Sequence, residues 1–197
     1  MSGHEIPPVS GRRQIVGLLI RGLAFWGWLV GSRRRSGMAA EDAAGQQPQA
    51  GDGLVYFAGP RKNAPVLRSE LPLGGPQHLV WPVAPDGTVR SANRLNQLLV
   101  IRLDSAAIAE SMRPFAAEDV LCFSAICTHE CCPVNMWKAE NRTLYCSCHG
   151  SEYDPATGAT VVAGPAPRRL AVVPLQLDGD RLVVAGPPVG RVGCRKV

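Results

Sequence analysis

The chain has 197 residues, of which 46% are hydrophobic, enough for one well-buried core and an argument against a second full domain. It carries 21 basic and 16 acidic residues, a net charge of +5. All of this excess lies within residues 1–35, which hold six arginines and one glutamate. The remaining charges cancel, so net charge gives no support to a nucleic-acid partner.

The N-terminal segment has the composition of a membrane anchor. Residues 1–13 are predicted to be a cytoplasmic tail that contains Arg12 and Arg13, and residues 14–31 a transmembrane anchor or signal. The apolar run from Gln14 to Val30 spans about 25 Å as a helix, slightly less than the ~30 Å hydrocarbon core. Arg21 near its middle makes insertion marginal, so this helix is expected to pack against other helices.

The pair Arg12-Arg13 resembles a twin-arginine (Tat) export signal, although the usual phenylalanine and lysine are missing. This resemblance implies a head on the periplasmic or extracytoplasmic side of the cell membrane, held by a single span. The three arginines at positions 33–35 oppose the positive-inside tendency for that orientation. We expect a retained anchor, with cleavage near Gly37-Met38-Ala39 as the alternative.

Residues 32–52 are predicted to be a flexible linker, because they are rich in Ala, Gly and Gln and lack a sustained apolar period. A helical extension through Met38 to Ala44, followed by a loop, is the alternative. A flexible segment here would let the head, residues 53–197, move relative to its anchor.

From Leu54 onward the sequence predicts β structure. Short apolar runs are separated by proline and glycine, at Leu54–Ala58, Gln97–Leu103 and Asp119–Ala125. Near the C-terminus, Leu170–Leu177 and Arg181–Ala185 flank an Asp-Gly-Asp turn, a pattern typical of a hairpin. Asp104–Met112 indicates one short helix. The head is therefore expected to be all-β and antiparallel.

Two short motifs carry most of the chemical information. Cys127-Thr-His129 and Cys146-Ser-Cys148-His149 each offer a thiolate and an imidazole, so together they supply two sulfur and two nitrogen ligands to one inorganic centre. Such a set could close a tetrahedral zinc site. Each motif also carries a spare thiol at a fixed offset, Cys132 and Cys148, for which zinc has no use, and this favours an iron-sulfur cluster.

The pattern C-T-H-x-x-C followed by C-S-C-H-G-S-x-Y-D resembles the two boxes of the Rieske [2Fe-2S] proteins, in the disulfide-containing branch found in cytochrome bc-type quinol oxidoreductases. The resemblance is strong from about Leu121 to Pro167. It implies an antiparallel Rieske-type β-sandwich or open barrel with an inserted cluster-binding subdomain at about 122–167, in addition to the N-terminal membrane helix. Carried over by position, Cys127 and Cys146 would bind one iron, and His129 and His149 the other.

The same resemblance implies roles for residues around the ligands. The Ser151 hydroxyl would point at a bridging sulfide, and the Tyr153 phenol at the thiolate of Cys127. His149 would contact the quinol. The stiff segment Gly164-Pro165-Ala166-Pro167 would pack over the cluster as a proline loop, with a plain turn as the alternative.

Mixed ligation has a direct electrostatic consequence. Replacing two thiolates by neutral imidazoles removes two negative charges, so the cluster accepts an electron more readily and its reduction potential rises. An imidazole on ferric iron is more acidic at its other nitrogen, so electron and proton uptake are coupled.

The sequence leaves the cysteine pairing partly open. The two spare thiols, Cys132 and Cys148, are predicted to form a disulfide that clamps both ligand loops. Cys131 is adjacent and could reach Cys148 as well, but the offset from Cys127 favours Cys132. Cys131 is then expected to be free or differently paired, and Cys122 and Cys194 to be packing or tail residues without an assignable partner.

These features predict an electron-transfer subunit of a membrane quinol:cytochrome c oxidoreductase, not an enzyme on its own, with cytochrome b and cytochrome c-type subunits as partners in a dimeric complex. The first alternative is the small Rieske subunit of an exported molybdenum oxidoreductase of the arsenite oxidase type. A Rieske ferredoxin for a soluble oxygenase is disfavoured by the spare cysteines and the export signal. A zinc-stabilised interaction module is the non-redox alternative.

Overall fold

A computed structural model describes residues 42–194 of the chain. The predicted tail, twin-arginine signal and membrane anchor, and residues 32–41 of the predicted linker, lie outside the described residues. Within the described part, no helix has both the length and the apolar character that a bilayer crossing requires.

Six strands form the larger sheet, in the spatial order β4-β3-β2-β1-β10-β9, with every neighbouring pair antiparallel. Their bounds are β1 Gly53–Tyr56, β2 His78–Val83, β3 Leu98–Arg102, β4 Val120–Ser124, β9 Leu175–Asp178 and β10 Arg181–Val184. The predicted C-terminal hairpin is confirmed, with Arg181 paired to Asp178 across a turn in which Gly179 has φ of +59°.

Four further strands form a smaller antiparallel sheet in the order β5-β6-β7-β8. These are β5 Met136–Lys138, β6 Thr143–Cys146, β7 Ser151–Asp154 and β8 Thr160–Ala163. Both sheets together confirm the prediction of an all-β antiparallel fold. The smaller sheet lies within the segment 122–167 for which a cluster-binding subdomain was predicted.

The central strands β3 and β4 are buried on both faces, which explains their continuous apolar sequences. On one face, Leu99 and Phe123 join a core cluster that contains residues of the smaller sheet, including Leu144 and Tyr153. On the other face, Val100 contributes to a second cluster with residues of β1 and β10. Strand β4 therefore connects both clusters, and the chain leaves it directly into the first ligand motif.

The prediction of a single helix over Asp104–Met112 is wrong. Two 3₁₀ helices occupy this region, Ser105–Ala107 and Glu110–Phe115. The side chain of Asp104 accepts a hydrogen bond from the Ala106 amide and so caps the first of them. Ala109 between them has a ψ of 142°, which is not helical. Pro114 lacks an amide hydrogen and disfavours a regular α-helix beyond that point.

The second half of the predicted flexible linker is attached to the head. Residues 42–45 are helical, as the alternative interpretation expected for this stretch. The Gly51 amide donates to the Val184 carbonyl at 2.9 Å, and Asn96 Nδ2 donates to the Gln46 carbonyl at 2.6 Å. A buried ion pair joins Asp52 and Arg90. A flexible segment therefore stays a prediction only for residues 32–41.

Candidate metal centre

The two ligand motifs lie on loops that the strands bring together. The first loop follows β4 and closes on itself, because the Cys127 amide donates to the Cys132 carbonyl at 2.8 Å and the Cys131 amide donates to the Cys127 carbonyl at 3.1 Å. The second loop is the hairpin between β6 and β7, where Cys146 is paired with Ser151 in register. Short tight loops on regular strands hold their side chains in fixed positions.

Four side chains with the required chemistry converge there. Cys127 and Cys146 are each only 1% exposed and are not in disulfides. The rings of His129 and His149 meet edge to face, with their centroids 4.7 Å apart. His129 is half-buried and His149 is exposed, so the nitrogen pair lies toward solvent and the sulfur pair toward the core.

Cys132 and Cys148 form a disulfide between the two loops, with a Cα–Cα distance of 6.5 Å. Their sulfurs lie within 4.8 Å of one another and of the Cys146 sulfur. These three sulfurs cannot act as a metal-binding trio, because two of them are consumed in the disulfide and only Cys146 keeps a thiol. The disulfide thus leaves the set Cys127, Cys146, His129 and His149 available for a metal centre.

Tyr153 on β7 organises the sulfur side. Its hydroxyl lies 3.2 Å from Cys127 Sγ and accepts a hydrogen bond from the Thr128 amide at 3.2 Å. Thr128 in turn donates through Oγ1 to the Arg168 carbonyl at 2.6 Å, just beyond the proline segment. The first ligand loop is therefore connected to β7 on one side and to the proline segment on the other.

The two free thiols lie close enough for each to influence the pKa of the other. Burial tends to raise the pKa of Cys127, but hydrogen bonding, chiefly from Tyr153, outweighs burial and sets that pKa below its ordinary value. The pKa of Cys146 is raised, first by burial and then by the charge on Cys127. Burial and the bond to Cys127 also raise the pKa of Tyr153 above its ordinary value, which keeps the phenol protonated as a donor.

The donor set fits a [2Fe-2S] cluster with mixed ligation. Within residues 42–194, the buried atoms His129 Nδ1 and Ser151 Oγ have no hydrogen-bond partner from the protein. Unpartnered buried polar atoms are rare in folded proteins, and here one belongs to the first ligand motif and the other to Ser151, the residue paired with Cys146. A cluster with two thiolate and two imidazole ligands would satisfy this set.

The predicted proline segment packs directly on the second loop. Gly164 has φ of +83°, and a Cβ added there would lie 2.5 Å from the Gly150 carbonyl oxygen and from Ser151 Cα. Only glycine permits this approach of the two backbones. Ala166 is buried and belongs to the core cluster that contains Cys127.

Sequence reasoning missed a second disulfide, between Cys131 and Cys194, with a Cα–Cα distance of 5.0 Å. The prediction that Cys194 is an unpaired packing or tail residue is wrong, because the C-terminal segment returns to the first ligand loop. Cys131 is the differently paired thiol that one alternative allowed. Cys122 is fully buried on β4 and is not in a disulfide, so it packs in the core as predicted.

His78, the third histidine of the described residues, lies in a strand and not in a ligand loop. It begins β2 and meets the Tyr56 ring edge on, with centroids 5.6 Å apart. Burial, and then the charge of Arg61, lower its pKa from the ordinary value. A half-buried histidine held in this way belongs to the sheet and lies outside the two ligand motifs.

The fold and the centre define an all-β protein whose two adjacent loops carry two free thiols and two imidazoles, a donor set suited to a metal centre. Residues 81–174 match the family model described as the Rieske [2Fe-2S] domain. The chain therefore carries a Rieske [2Fe-2S] domain, whose cofactor is the [2Fe-2S] cluster, and the disulfide between its ligand loops assigns it to the disulfide-containing branch.

Relatives with the same domain include proteins named cytochrome bc1 complex Rieske iron-sulfur subunit. The one from Corynebacterium glutamicum is 32% identical over 95 residues, which cover 46% of this chain and 23% of that protein. The one from Streptomyces lividans is 36% identical over 70 residues, which cover 35% of this chain and 41% of that protein. The match thus spans less than half the length of either relative.

Among solved structures, a chain of a hyperthermophilic respiratory Complex III aligns with a TM-score of 0.43 and 20% identity, covering 84% of this chain and 100% of that one. The soluble domain of Rieske protein II from Sulfolobus acidocaldarius aligns with a TM-score of 0.37 and 19% identity, covering 49% and 68%.

Proposed function

We propose that this chain is the electron-transfer subunit of a membrane quinol:cytochrome c oxidoreductase, and that Cys127 and Cys146 bind one iron of its cluster while His129 and His149 bind the other. The observation that carries the proposal is the polarity of the site. Its two free thiols are buried, and its two imidazoles meet at the surface, with His149 exposed. The relatives named as cytochrome bc1 complex subunits support the same function.

In this proposal each part of the site has a separate role. The bound cluster supplies a one-electron acceptor of raised potential. His149 is exposed, so with one ring nitrogen on iron the other could accept a hydrogen bond from a quinol hydroxyl and take up its proton. The aliphatic and aromatic core around Cys127 and Cys146 excludes water from the sulfur side. Tyr153 stays protonated and donates toward Cys127, which favours the more negative, reduced state.

Location and partners follow from the same proposal. Two disulfides within residues 42–194 favour an oxidising compartment, in agreement with a head on the periplasmic or extracytoplasmic side of the cell membrane. Cytochrome b and a cytochrome c-type subunit are the proposed partners, in a dimeric complex anchored by the N-terminal segment. A small subunit of a molybdenum oxidoreductase would instead copurify with a molybdopterin protein.

The direct test is electron paramagnetic resonance of the reduced complex in native membranes, with and without a quinol-site inhibitor. We expect a Rieske signal whose line shape changes when the inhibitor is added, because the inhibitor and quinol compete for the exposed histidine. A signal that no quinol-site inhibitor alters, together with copurification of a molybdopterin subunit, would contradict the proposal.

The ligand assignment is tested separately with a matched pair of histidine substitutions. His149→Asn is expected to abolish the Rieske signal, since asparagine cannot replace an imidazole on iron. His78→Asn removes a half-buried histidine of β2 and should leave the signal intact. Retention of the normal signal in His149→Asn would show that His149 is not a ligand.

A further inference from the structure

We call the last described part of the chain, residues 188–194, the C-terminal strap. It runs beside the larger sheet to the first ligand loop. Val189 and Val172 exchange two backbone hydrogen bonds, at 2.7 and 3.0 Å, which attaches the strap beside β4 through the bridge of Val172 to Phe123. The strap then reaches the first ligand loop, where Cys194 is bonded to Cys131.

The point of attachment lies between a candidate ligand and the other disulfide. Cys131 is two residues after His129 and directly before Cys132, which is bonded to Cys148 of the second loop. Adjacent residues of one loop are thus covalently joined to two different elements. Cys131 has φ of +57°, a conformation that residues other than glycine hold only when their surroundings fix it. Its carbonyl also accepts a hydrogen bond from Arg94 Nη1 at 3.0 Å.

The strap fits closely against this disulfide. Gly193 has φ of +71°, and a Cβ there would lie 3.2 Å from Cys131 Sγ and 3.3 Å from Leu95 Cδ2. A side chain at position 193 would therefore press on both the disulfide and Leu95. A loop held this closely cannot shift without moving the strap as well.

A second connection joins the strap to the proline segment. Arg168 follows Pro167, and its guanidinium donates to the carbonyls of Arg191, at 2.6 Å, and Gly193. The Arg168 carbonyl accepts the hydrogen bond from Thr128 Oγ1 of the first ligand loop. The strap, the proline segment and the ligand loop therefore form a closed ring of contacts behind the site.

We propose that the C-terminal strap positions His129 and the proline segment, with Cys131, Cys194 and Arg168 as the positioning residues. The inference rests on the proposed ligand assignment. The strap holds the first ligand loop through a disulfide separate from Cys132–Cys148, so its release would loosen the loop, admit water and change the orientation of the His129 ring. These changes alter the spectrum and the retention of the cluster as well as stability.

The test compares full-length holoprotein variants by the g-values of the reduced cluster and by the rate at which its visible absorbance is lost in mild urea. Cys131→Ala/Cys194→Ala should shift the g-values and lose the cluster on the order of tenfold faster, the scale typical of lost support around a metal ligand. Val184→Ala is the control, because it removes buried volume from the other core cluster. When each protein is measured equally far below its own urea unfolding midpoint, the control should keep the wild-type g-values and lose its cluster at the wild-type rate.

Arg168→Gln is the second variant, because it releases the strap from the proline segment while both disulfides remain. It should shift g-values in the same direction as the double variant, and it carries the test if the double variant does not fold. Peptide mapping of the wild type should recover Cys131 bonded to Cys194. Unpaired thiols at those positions, or variants with the spectrum and retention of Val184→Ala, overturn the inference.

The outcomes separate this inference from the proposed function. A normal Rieske signal in the wild type, with strap variants indistinguishable from the control, overturns the role of the strap alone. A wild-type chain with iron but no Rieske signal overturns the ligand assignment, and the strap inference with it.

Discussion

Tyr153 shows how a single side chain acts on the centre in more than one way. Its ring is fully buried in the core cluster that joins the two sheets, and its hydroxyl contacts both Cys127 Sγ and the Thr128 amide. The ring contributes packing, and the hydroxyl contributes electrostatics. The two contributions can be separated by removing only the oxygen.

Tyr153→Phe is expected to lower the reduction potential of the cluster by about 40 mV, because a hydrogen bond to a thiolate stabilises the reduced state by about 1 kcal/mol more than the oxidised state. Redox titration followed by circular dichroism measures this shift. Tyr145→Phe is the control, since Tyr145 lies under the Lys138 ammonium, 4.3 Å from its ring centroid. Equal potentials in both variants would show that the Tyr153 hydroxyl does not tune the centre.

Gly164 contributes to the site through the close approach of two backbone segments and not through charge. Gly164→Ala adds a methyl group 2.5 Å from the Gly150 carbonyl oxygen, so the proline segment must move away from the second loop. We expect a loss of about 2–3 kcal/mol in unfolding free energy and faster loss of the cluster. Urea unfolding and visible absorbance measure the two effects.

Gly87→Ala is the matched control for this substitution. Gly87 has φ of +88°, close to the +83° of Gly164, but nothing lies within 4 Å of its added Cβ. It therefore carries the same backbone strain without the collision. If both variants lose the same stability and keep the cluster equally well, the contact at Gly164 has no role in holding the site.

At the scale of elements, local pattern predicted the strands that are apolar along their whole length. Strands β3 and β4 lie within the predicted segments Gln97–Leu103 and Asp119–Ala125, and each is shorter by one residue at either end. Strand β2 was not predicted, because Trp81, Pro82 and the preceding glycines and prolines resemble a loop. Pro82 is tolerated because Leu54, its partner in β1, needs no amide donor from it.

The candidate site was predictable where its residues are close in sequence and not where they are distant. The two motifs contain both loops, so spacing and resemblance predicted the Cys132–Cys148 disulfide, which the structure confirms, and named the candidate ligands, whose role stays a prediction. The Cys131–Cys194 disulfide joins residues separated by 63 positions, and no local pattern links a cysteine near the chain end to a ligand loop. It required the three-dimensional path of the C-terminal strap.

An ionic cluster beside β4, the edge strand of the larger sheet, stabilises the fold by an amount that depends on pH. Asp119 is 5% exposed and accepts hydrogen bonds from Arg68 Nε at 2.8 Å and Arg102 Nε at 2.9 Å. Burial tends to raise the pKa of Asp119, but the bonds from Arg102 and Arg68 outweigh burial and lower it. A lowered carboxyl pKa stabilises the fold above the pKa of the unfolded chain and loses that contribution as pH falls through the folded value.

Asp119→Asn is therefore expected to destabilise the protein by about 3 kcal/mol at pH 7 and by progressively less below pH ~4, where the wild-type carboxylate is also protonated. Urea unfolding of both proteins from pH 7 to pH 3 measures the difference. Glu118→Gln is the control, because Glu118 also pairs with Arg68 but is 60% exposed. A difference that does not shrink with acid would assign the loss to packing.

At the scale of the whole molecule, the described chain begins with a segment that is part of the head. Arg90 is 4% exposed and Asp52 is 1% exposed, and they form two hydrogen bonds of 2.7 and 2.9 Å. Arg90 also donates to the Ala43 carbonyl at 2.8 Å. One buried guanidinium thus joins residues 43–52 to the segment after β2, whose Arg90 amide donates to the Pro82 carbonyl of that strand.

Asp52→Asn should release this segment, because it leaves the buried Arg90 without its counter-charge. We expect a loss of about 3–5 kcal/mol in unfolding free energy and faster amide exchange throughout residues 43–52 than in the wild type. Hydrogen exchange followed by mass spectrometry resolves that segment from the sheets. Arg113→Gln breaks the exposed pair with Glu110 and should change neither quantity. Unchanged exchange in Asp52→Asn would mean that the hydrogen bonds made by Gly51 and Gln46, and not the ion pair, hold the segment.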